Sequence, residues 1–267
     1  MSIISVRNLV AEYGGRRVLD GLNLDVEANE TMVLLGGSGA GKSTLLRNLL
    51  GLERPKSGSI SVKGVDITHC SLAELKRVRR SIGVSFQSAA LFDSLTVEDN
   101  VALPLREHTR LAPSIVKLCV WMKLAAVGLA DFGKYYPKEL SGGMLKRASV
   151  ARALALDPEI LVFDEPSAGL DPIVAAELDD LILLLKQALQ MTVVVVTHEL
   201  ASAFRIADRI AMLYKGKFLK IGTKDEIRAS QNPHIRQFLD RVPDDIAPAR
   251  VVEAFFAKYV NSPEVTQ

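Results

Sequence analysis

Residues 36–44 read GGSGAGKST, and the architecture of the chain follows from this glycine-rich segment. It fits the pattern GxxxxGK(S/T), in which backbone N–H groups and a helix N-terminus surround the phosphates of a nucleotide. Lys42 is predicted to reach the β and γ phosphates, and Ser43 is predicted to offer its hydroxyl to Mg²⁺. The predicted nucleotide-binding residues of the loop are Gly36, Gly37, Ser38, Gly39, Ala40, Gly41, Lys42, Ser43 and Thr44.

The segments on both sides of this loop supply the order of strand, loop and helix that a phosphate loop requires. Thr31–Leu35 is a continuous apolar run, typical of a buried strand, and Ser43–Leu52 has apolar residues at helical spacing. A plain glycine turn is the alternative interpretation, and this context argues against it. The sequence therefore predicts a P-loop NTPase core.

Two further apolar runs extend this core into an α/β fold. Ile160–Phe163 and Thr192–Val196 are too short for typical helices and are rich in Ile and Val, which suits buried parallel strands. Between them, Ala175–Leu189 has the spacing of a helix. These strands are expected to lie beside the strand that precedes the phosphate loop.

Two other regions have a different pattern. Ile3–Val10 and Leu22–Val26 alternate apolar and polar residues around a Gly14-Gly15 turn, which predicts an antiparallel β layer. The segment from Val97 to Ala155 has helical patterns without a convincing strand, so we predict a helical insertion. The residues expected to break its helices are Pro104, Pro113, Gly128 and Pro137.

Composition excludes several classes of protein. The 267 residues are 48% hydrophobic and 24% charged with a net charge of +2, which argues against disorder and against a strongly basic nucleic-acid binder. Cys70 and Cys119 lie too far apart in sequence to suggest zinc or thiol redox chemistry. The most apolar long stretch, Leu111–Ala130, contains Lys117 and Lys123, whereas a membrane span needs about 20 mostly apolar residues. With no secretory pattern at the start of the sequence, a cytoplasmic location is expected.

A second chemical motif, ILVFDEP, occupies Ile160–Pro166. Two carboxylates at the end of an apolar strand are costly unless a cation or a reacting water is near them. Asp164 is predicted to hold Mg²⁺, and Glu165 is predicted to accept a proton from the water that attacks the phosphate. On its own the motif could be a simple strand boundary, but the phosphate loop favours the functional interpretation.

Residues 140–144 read LSGGM, and a serine followed by two glycines at a helix start is a second predicted anion site. This segment resembles the LSGGQ signature of the ABC ATPase family. The resemblance implies the ABC ATPase fold, which is a P-loop NTPase (RecA-like) core with an antiparallel β layer and a helical insertion. It also implies that Ser141, Gly142 and Gly143 reach across a homodimer to the γ phosphate held by the other subunit.

Other landmarks of that family match between residues 3 and 225. They are Gln87 in SFQS, Asp171 in SAGLDP, His198 in VVTHE, and Tyr13 near the first turn. The resemblance implies that Gln87 senses the γ phosphate, contributes to the Mg²⁺ site and links to a membrane partner. It further implies that His198 contacts the γ phosphate, Asp171 belongs to a loop joining two sites, and Tyr13 stacks on the adenine of ATP.

The class of ABC ATPase follows from chain organisation. This sequence has one cassette, whereas translation-factor types have two, and residues 45–139 are too few for the long coiled coil of DNA-repair types. A transporter subunit fits better, and an iron–sulfur cluster assembly ATPase is the alternative. The segments FQSAALFDSLTVEDNVALPLREHT, MKLAAVGL and IRQFLD are similar to the MlaF-type ATPases of MCE-associated phospholipid transporters.

This closer resemblance implies several partners and a location. The chain is expected to hydrolyse ATP as a homodimer at the cytoplasmic face of the inner membrane, bound to integral-membrane permease subunits. An MCE protein and a STAS-domain protein are further expected partners, and the cargo is expected to be phospholipid. No nucleic-acid partner is expected.

We divide the sequence into an ABC ATPase domain at 1–242, with a helical subdomain at about 89–158, and a C-terminal tail at 243–267. In the tail, Val251–Val260 has large apolar residues on one helical face. Such a face is predicted either to fold back on its own subunit or to reach the other ATPase subunit or a STAS-type partner.

Overall fold

A computed structural model describes residues 2–243 of the chain. Its compact units are Met1–Ser230 and a second unit that starts at Gln231. The predicted amphipathic helix at Val251–Val260 lies outside the described residues.

Two sheets form the β structure of the first unit. A four-stranded sheet has the strand order β2-β1-β4-β5, and a six-stranded sheet has the order β10-β9-β3-β8-β7-β6. The strands are β1 (Ser2–Tyr13), β2 (Arg16–Glu27), β3 (Thr31–Leu35), β4 (Ser57–Val62), β5 (Val65–Asp66), β6 (Ile82–Ser85), β7 (Ile160–Asp164), β8 (Thr192–Thr197), β9 (Arg209–Tyr214) and β10 (Lys217–Thr223).

Helices connect these strands. They are α1 (Lys42–Leu49), α2 (Leu72–Arg80), α3 (Val97–His108), α4 (Pro113–Ala126), α5 (Gly142–Ala153), α6 (Pro172–Leu189), α7 (Leu200–Ile206), α8 (Lys224–Arg228) and α9 (Pro233–Leu239), with short 3-10 helices at Ala130–Phe132 and Pro137–Glu139. The second unit contains α9. Asn232 caps this helix, and its side-chain oxygen accepts a hydrogen bond from the backbone N–H of His234 at 3.0 Å.

The six-stranded sheet is the core that the apolar runs predicted. β3 and β8 are buried at every residue, and β3, β6, β7, β8 and β9 pair in parallel, so their carboxyl ends share one edge. A parallel sheet that is covered on both sides needs apolar side chains on both of its faces. The α/β prediction is confirmed, and ligands of such folds bind at this edge.

The four-stranded sheet confirms the predicted antiparallel layer. β1 pairs antiparallel with β2, with Tyr13 opposite Arg16 beside the Gly14-Gly15 turn. Both strands are longer than the alternating patterns predicted. The sequence analysis also missed β4, which pairs with β1 on its other side, because Ser57–Val62 mixes serine and glycine with only two large apolar residues.

Residues 97–153 contain the helices α3, α4 and α5 and the two short 3-10 helices. The expected break at Pro104 is wrong, because α3 continues through this residue to His108. The Thr96 hydroxyl caps α3, and Val97, Val101 and Leu105 are buried. These contacts stabilise the helix enough to tolerate the missing backbone N–H of Pro104. Pro113 and Pro137 instead start helices, where a proline costs no hydrogen bond. Among the described residues, no helix is long and apolar enough to cross a membrane.

Candidate nucleotide site

The glycine-rich loop joins the end of β3 to the start of α1, in the middle of the parallel sheet. Lys42 is the first residue of α1, and its Nζ donates to the carbonyl oxygens of Gly36 at 2.8 Å and Gly37 at 3.0 Å. The loop thus bends around the lysine. Burial lowers the pKa of Lys42, and the negative charges of Glu165 and Asp164 oppose this shift.

Two glycines of the loop are required by its geometry. Gly41 has φ +107, and a Cβ there would lie 2.8 Å from Cδ2 of Leu19. A Cβ at Gly36 would lie 2.3 Å from the carbonyl oxygen of Leu213. Side chains at these positions would force the loop away from β2 and β9. The glycine pattern therefore reflects close backbone packing, in addition to the phosphate recognition that the sequence predicts.

A cavity of about 480 Å³ opens in front of this loop. The edge of the parallel sheet supplies its other walls, because Gln87 follows β6, Glu165 follows β7 and His198 follows β8. The lining residues are Val18, Ser38, Gly39, Ala40, Gly41, Lys42, Ser43, Thr44, Gln87, Glu165 and His198. The structure therefore brings the three residues predicted to be catalytic to the phosphate loop.

Glu165 occupies an unusual backbone conformation directly after β7. Its φ is +48, a region that residues other than glycine seldom adopt, and its N–H donates to the carbonyl of Val196 at 2.8 Å. The buried carboxylate has one oxygen 3.9 Å from Nζ of Lys42 and the other 2.9 Å from Nδ1 of His198. This places a carboxylate between the phosphate-loop lysine and the histidine.

Asp164 lies one residue earlier, and it lines a neighbouring cavity that it shares with Gln87. Burial raises the pKa of Asp164, and the charge of Glu165 raises it further. A half-buried carboxylate in such surroundings is stabilised by a cation. Ser43 and Gln87 line the cavity in front of the loop, and Asp164 and Gln87 line the neighbouring one. Their hydroxyl, amide and carboxylate oxygens are of the kinds that Mg²⁺ prefers when phosphates supply the rest, so the chemistry of these residues fits the ion.

The comparisons with known proteins agree with this geometry. The family model described as ABC transporter matches residues 19–168. This chain belongs to the ABC transporter ATP-binding proteins. It is the ATP-binding subunit of an ABC transporter and hydrolyses ATP.

Two relatives of this ABC subunit are named for the transport of different substrates. It is 44% identical over 237 residues to the "Probable ribonucleotide transport ATP-binding protein mkl" of Mycobacterium leprae, with 89% of this chain and 68% of that protein covered. It is 41% identical over 249 residues to the "Intermembrane phospholipid transport system ATP-binding protein MlaF" of Escherichia coli, with 93% of each covered. The predicted resemblance to MlaF-type ATPases is thus confirmed.

Solved structures of ABC cassettes have the same fold. The dimeric post-hydrolysis state of the cassette MJ0796, bound to ADP and Pi, matches with TM-score 0.76 and 30% identity, over 82% of this chain and 98% of that one. CbiO1 from Clostridium perfringens, part of the transporter complex cbiONQ, matches with TM-score 0.79 and 27% identity, over 95% and 98%. The predicted ABC ATPase fold is therefore confirmed.

Seven of the residues predicted to bind nucleotide in this ABC subunit lie outside the lining of the 480 Å³ cavity. Two of them, Gly36 and Gly37, belong to the glycine-rich loop, and the other five are Tyr13, Ser141, Gly142, Gly143 and Asp171. Ser141 caps α5 by accepting the N–H of Met144 at 3.3 Å, and Gly142 and Gly143 form the first turn of that helix. Asp171 caps α6 by accepting the N–H groups of Ile173 and Val174. Tyr13 ends β1 with 44% of its surface exposed.

Sequence reasoning missed Lys146 in α5. This lysine is only 7% exposed, and its Nζ donates to the backbone carbonyls of Gln87 at 2.7 Å and Glu165 at 3.2 Å. A lysine in a helix is usually a surface residue, so its type gave no signal. Only its position two residues beyond the LSGGM segment could have drawn attention to it.

Proposed function

We propose that this ATP-binding subunit powers phospholipid transport across the bacterial envelope as part of an MCE-type system. The observation that carries the proposal is the 41% identity to the Escherichia coli MlaF protein over 93% of both chains. The Haemophilus influenzae MlaF protein supports it with 42% identity over 90% of that protein. The matched region extends beyond the nucleotide motifs, since it covers 93% of both chains.

Transport of ribonucleotides is the second candidate, because the relatives named mkl are described as probable ribonucleotide transport proteins and are 44% identical. The chain spans about two thirds of their length, 68% of the Mycobacterium leprae protein, and nearly all of the MlaF proteins. Agreement over the full length of both chains makes phospholipid our preferred cargo.

We further propose the partners of the complex. The similarity to a dimeric cassette supports a homodimer, and a transporter subunit requires permease subunits in the membrane. An MCE protein and a STAS-type protein complete the assembly at the cytoplasmic face of the inner membrane. The similarity to the MlaF proteins supports this part of the proposal.

In the proposed hydrolysis, Lys42 and the backbone of the phosphate loop bind the β and γ phosphates. Glu165 accepts the proton of the attacking water, and His198 and Gln87 orient the γ phosphate and that water. The support is their common cavity, together with the 2.9 Å contact that fixes the Glu165 carboxylate. Positioning and charge neutralisation account for most of the catalysis of phosphoryl transfer. Ser43, Gln87 and Asp164 would hold Mg²⁺, which neutralises phosphate charge.

Ser141, Gly142, Gly143 and Asp171, which lie outside the lining of the cavity, are proposed to act at the interface with the other subunit. Ser141, Gly142 and Gly143 stand at the N-terminus of the twelve-residue helix α5, where backbone N–H groups favour an anion. Asp171 stands at the start of α6, and in a dimer the two segments would meet the phosphates bound by the partner. Tyr13 is proposed to stack on adenine from the exposed end of β1.

Reconstitution of the whole complex tests the cargo. The subunit is expressed with its permease and MCE protein and inserted into liposomes, and transfer of a fluorescent phospholipid is measured with and without ATP. ATP-dependent lipid transfer supports the proposal. Uptake of radiolabelled ribonucleotide without lipid transfer would contradict phospholipid transport and support ribonucleotide transport instead. The matched control is the same complex without ATP.

A further inference from the structure

Lys146 is a buried cation that contacts two segments of the ATPase site through their backbones. Its Nζ donates to the carbonyl oxygen of Gln87 at 2.7 Å and to that of Glu165 at 3.2 Å. Burial lowers the pKa of Lys146, and the charges of Asp164 and Glu165 oppose this shift. A buried lysine is costly unless it is paired and hydrogen-bonded, so the site must supply these contacts.

Lys146 belongs to a polar stripe on α5. Ser149 follows at i+3, and its hydroxyl lies 3.1 Å from that of Ser85 at the end of β6. Arg152 follows at i+6 and donates to the carbonyls of Ala89, at 2.9 Å, and Ala90. Residues at this spacing share one face of a helix. This face of α5 therefore contacts the segment from Ser85 to Ala90, which carries Gln87, at four of its residues.

The segment that α5 binds has a conformation that it would not adopt freely. Ala89 and Ala90 have φ +59 and +51, the left-handed region that alanine disfavours. Arg152 on α5 stabilises this conformation by donating hydrogen bonds to the carbonyl groups of Ala89 and Ala90. The conformation of the Gln87 segment thus depends on α5.

We propose that Lys146 is a positioning residue for ATP hydrolysis, which holds the backbones of Gln87 and Glu165 so that both side chains face the phosphate loop. The inference rests on the proposed roles of these two residues. Because Lys146 binds only their carbonyl groups, it leaves both side chains available to the cavity. Ser141 caps the same helix, so one element connects the proposed base of one site with the segment that we propose serves the other site.

The test compares Lys146→Met, Lys146→Arg and Lys123→Met in the full chain. Lys123 is a suitable control because its side chain is also largely buried, in α4, but pairs with Asp157. Fluorescent-nucleotide titration gives the Kd and the number of binding sites, and steady-state hydrolysis is expressed per binding site. Expressing the hydrolysis rate per binding site corrects for any loss of activity that comes only from unfolded protein.

We expect Lys146→Met to lower kcat per site about 10-fold or more while changing the Kd and KM for ATP less than about threefold. Lys146→Arg keeps the cation and its donors and should recover most of kcat. An unchanged kcat in Lys146→Met, an equal loss in Lys123→Met, or an Arg variant no better than Met would overturn the inference. Glu165→Gln is measured in parallel, because rapid hydrolysis by that variant would contradict the proposed base instead.

Discussion

The imidazole of His198 holds the carboxylate of Glu165 from one side, with Nδ1 of His198 2.9 Å from Oε2 of Glu165. The backbone N–H of His198 lies 3.3 Å from the same oxygen, so both groups of this residue converge on it. On the opposite side, Nζ of Lys42 is 3.9 Å from Oε1. The orientation of the proposed base therefore depends on the turn that follows β8.

Replacing His198 tests this dependence. We expect His198→Ala to lower kcat at least about 10-fold and to change KM less than about threefold, because it removes an orienting contact rather than the phosphate loop. Steady-state hydrolysis measures both constants. Glu199→Gln is the matched control, since Glu199 lies beside the outer nitrogen of His198. Unchanged kcat in His198→Ala would show that the contact does not matter for hydrolysis.

Glu165→Gln tests the base itself. The amide keeps the size of the side chain and loses the ability to accept a proton, so kcat should fall by about 10²-fold or more. ATP should still bind, and the bound dimer should accumulate, which size-exclusion chromatography with ATP would detect. A variant that hydrolyses ATP at the normal rate would place the base elsewhere.

Lys42→Ala should nearly abolish nucleotide binding. The substitution removes the cation that faces the phosphates and also the two hydrogen bonds to Gly36 and Gly37 that shape the loop. Titration with a fluorescent ATP analogue measures the loss, which we expect to exceed about 100-fold in Kd. Lys63→Ala is the control, because Lys63 pairs with Glu159 away from the cavity lining. Equal affinities for all three proteins would contradict the assignment of the loop.

Much of the nucleotide site was predictable because its signals are local. The order of strand, loop and helix is determined by neighbouring residues, Thr31–Leu35 and 36–44. Glu165 and His198 each directly follow a short buried strand. Lys146 was not predictable, because its burial depends on the packing of α5 against a segment about 60 residues away in sequence, a tertiary relationship that residue type does not encode. The helix through Pro104 was not predictable for the same reason, since burial of α3 in the tertiary structure overrides the strong local tendency of proline to break a helix.

The buried carboxylate of Asp179 gives a pH-dependent prediction. Asp179 in α6 is 3% exposed and accepts a hydrogen bond from the Ser202 hydroxyl in α7 at 2.6 Å. Burial raises the pKa of Asp179 above its ordinary value of 3.8. A raised carboxyl pKa means that the folded protein holds its proton more tightly than the unfolded chain, so stability is lost as the pH rises from the ordinary value through the raised pKa.

Asp179→Asn should therefore raise the melting temperature at pH 8, by about 2–4 °C if the charge costs about 1 kcal/mol. The amide oxygen can still accept from Ser202. The difference from wild type should shrink as the pH falls through the raised pKa, because the wild-type carboxyl then becomes neutral. Thermal melts from pH 8 down to below the ordinary carboxyl pKa of 3.8 check this trend. Asp157→Asn serves as control, because Asp157 is an exposed carboxylate that pairs with Lys123 and is not among the charges that shift the pKa of Asp179. A variant that is less stable than wild type at pH 8 would show that Asp179 stabilises the fold as an anion.

The final prediction concerns Ser141, which we propose acts on the nucleotide of the other subunit. Ser141→Arg places a large cation at the start of α5 and should block hydrolysis in the dimer. Nucleotide affinity of the monomer should stay within about threefold of wild type, because Ser141 lies outside the lining of its own cavity. Loss of both properties together would indicate a folding defect, which a melting curve would reveal.

Mixing two inactive variants separates a shared site from a self-contained one. Lys42→Ala has an intact signature segment, and Ser141→Arg has an intact phosphate loop, so a mixed dimer contains one complete composite site. Equal amounts should recover up to about a quarter of wild-type activity, since half of the dimers are mixed and each has one site of two. Each variant alone sets the background. If the mixture is no more active than its components, the proposal that Ser141 acts across the dimer is wrong.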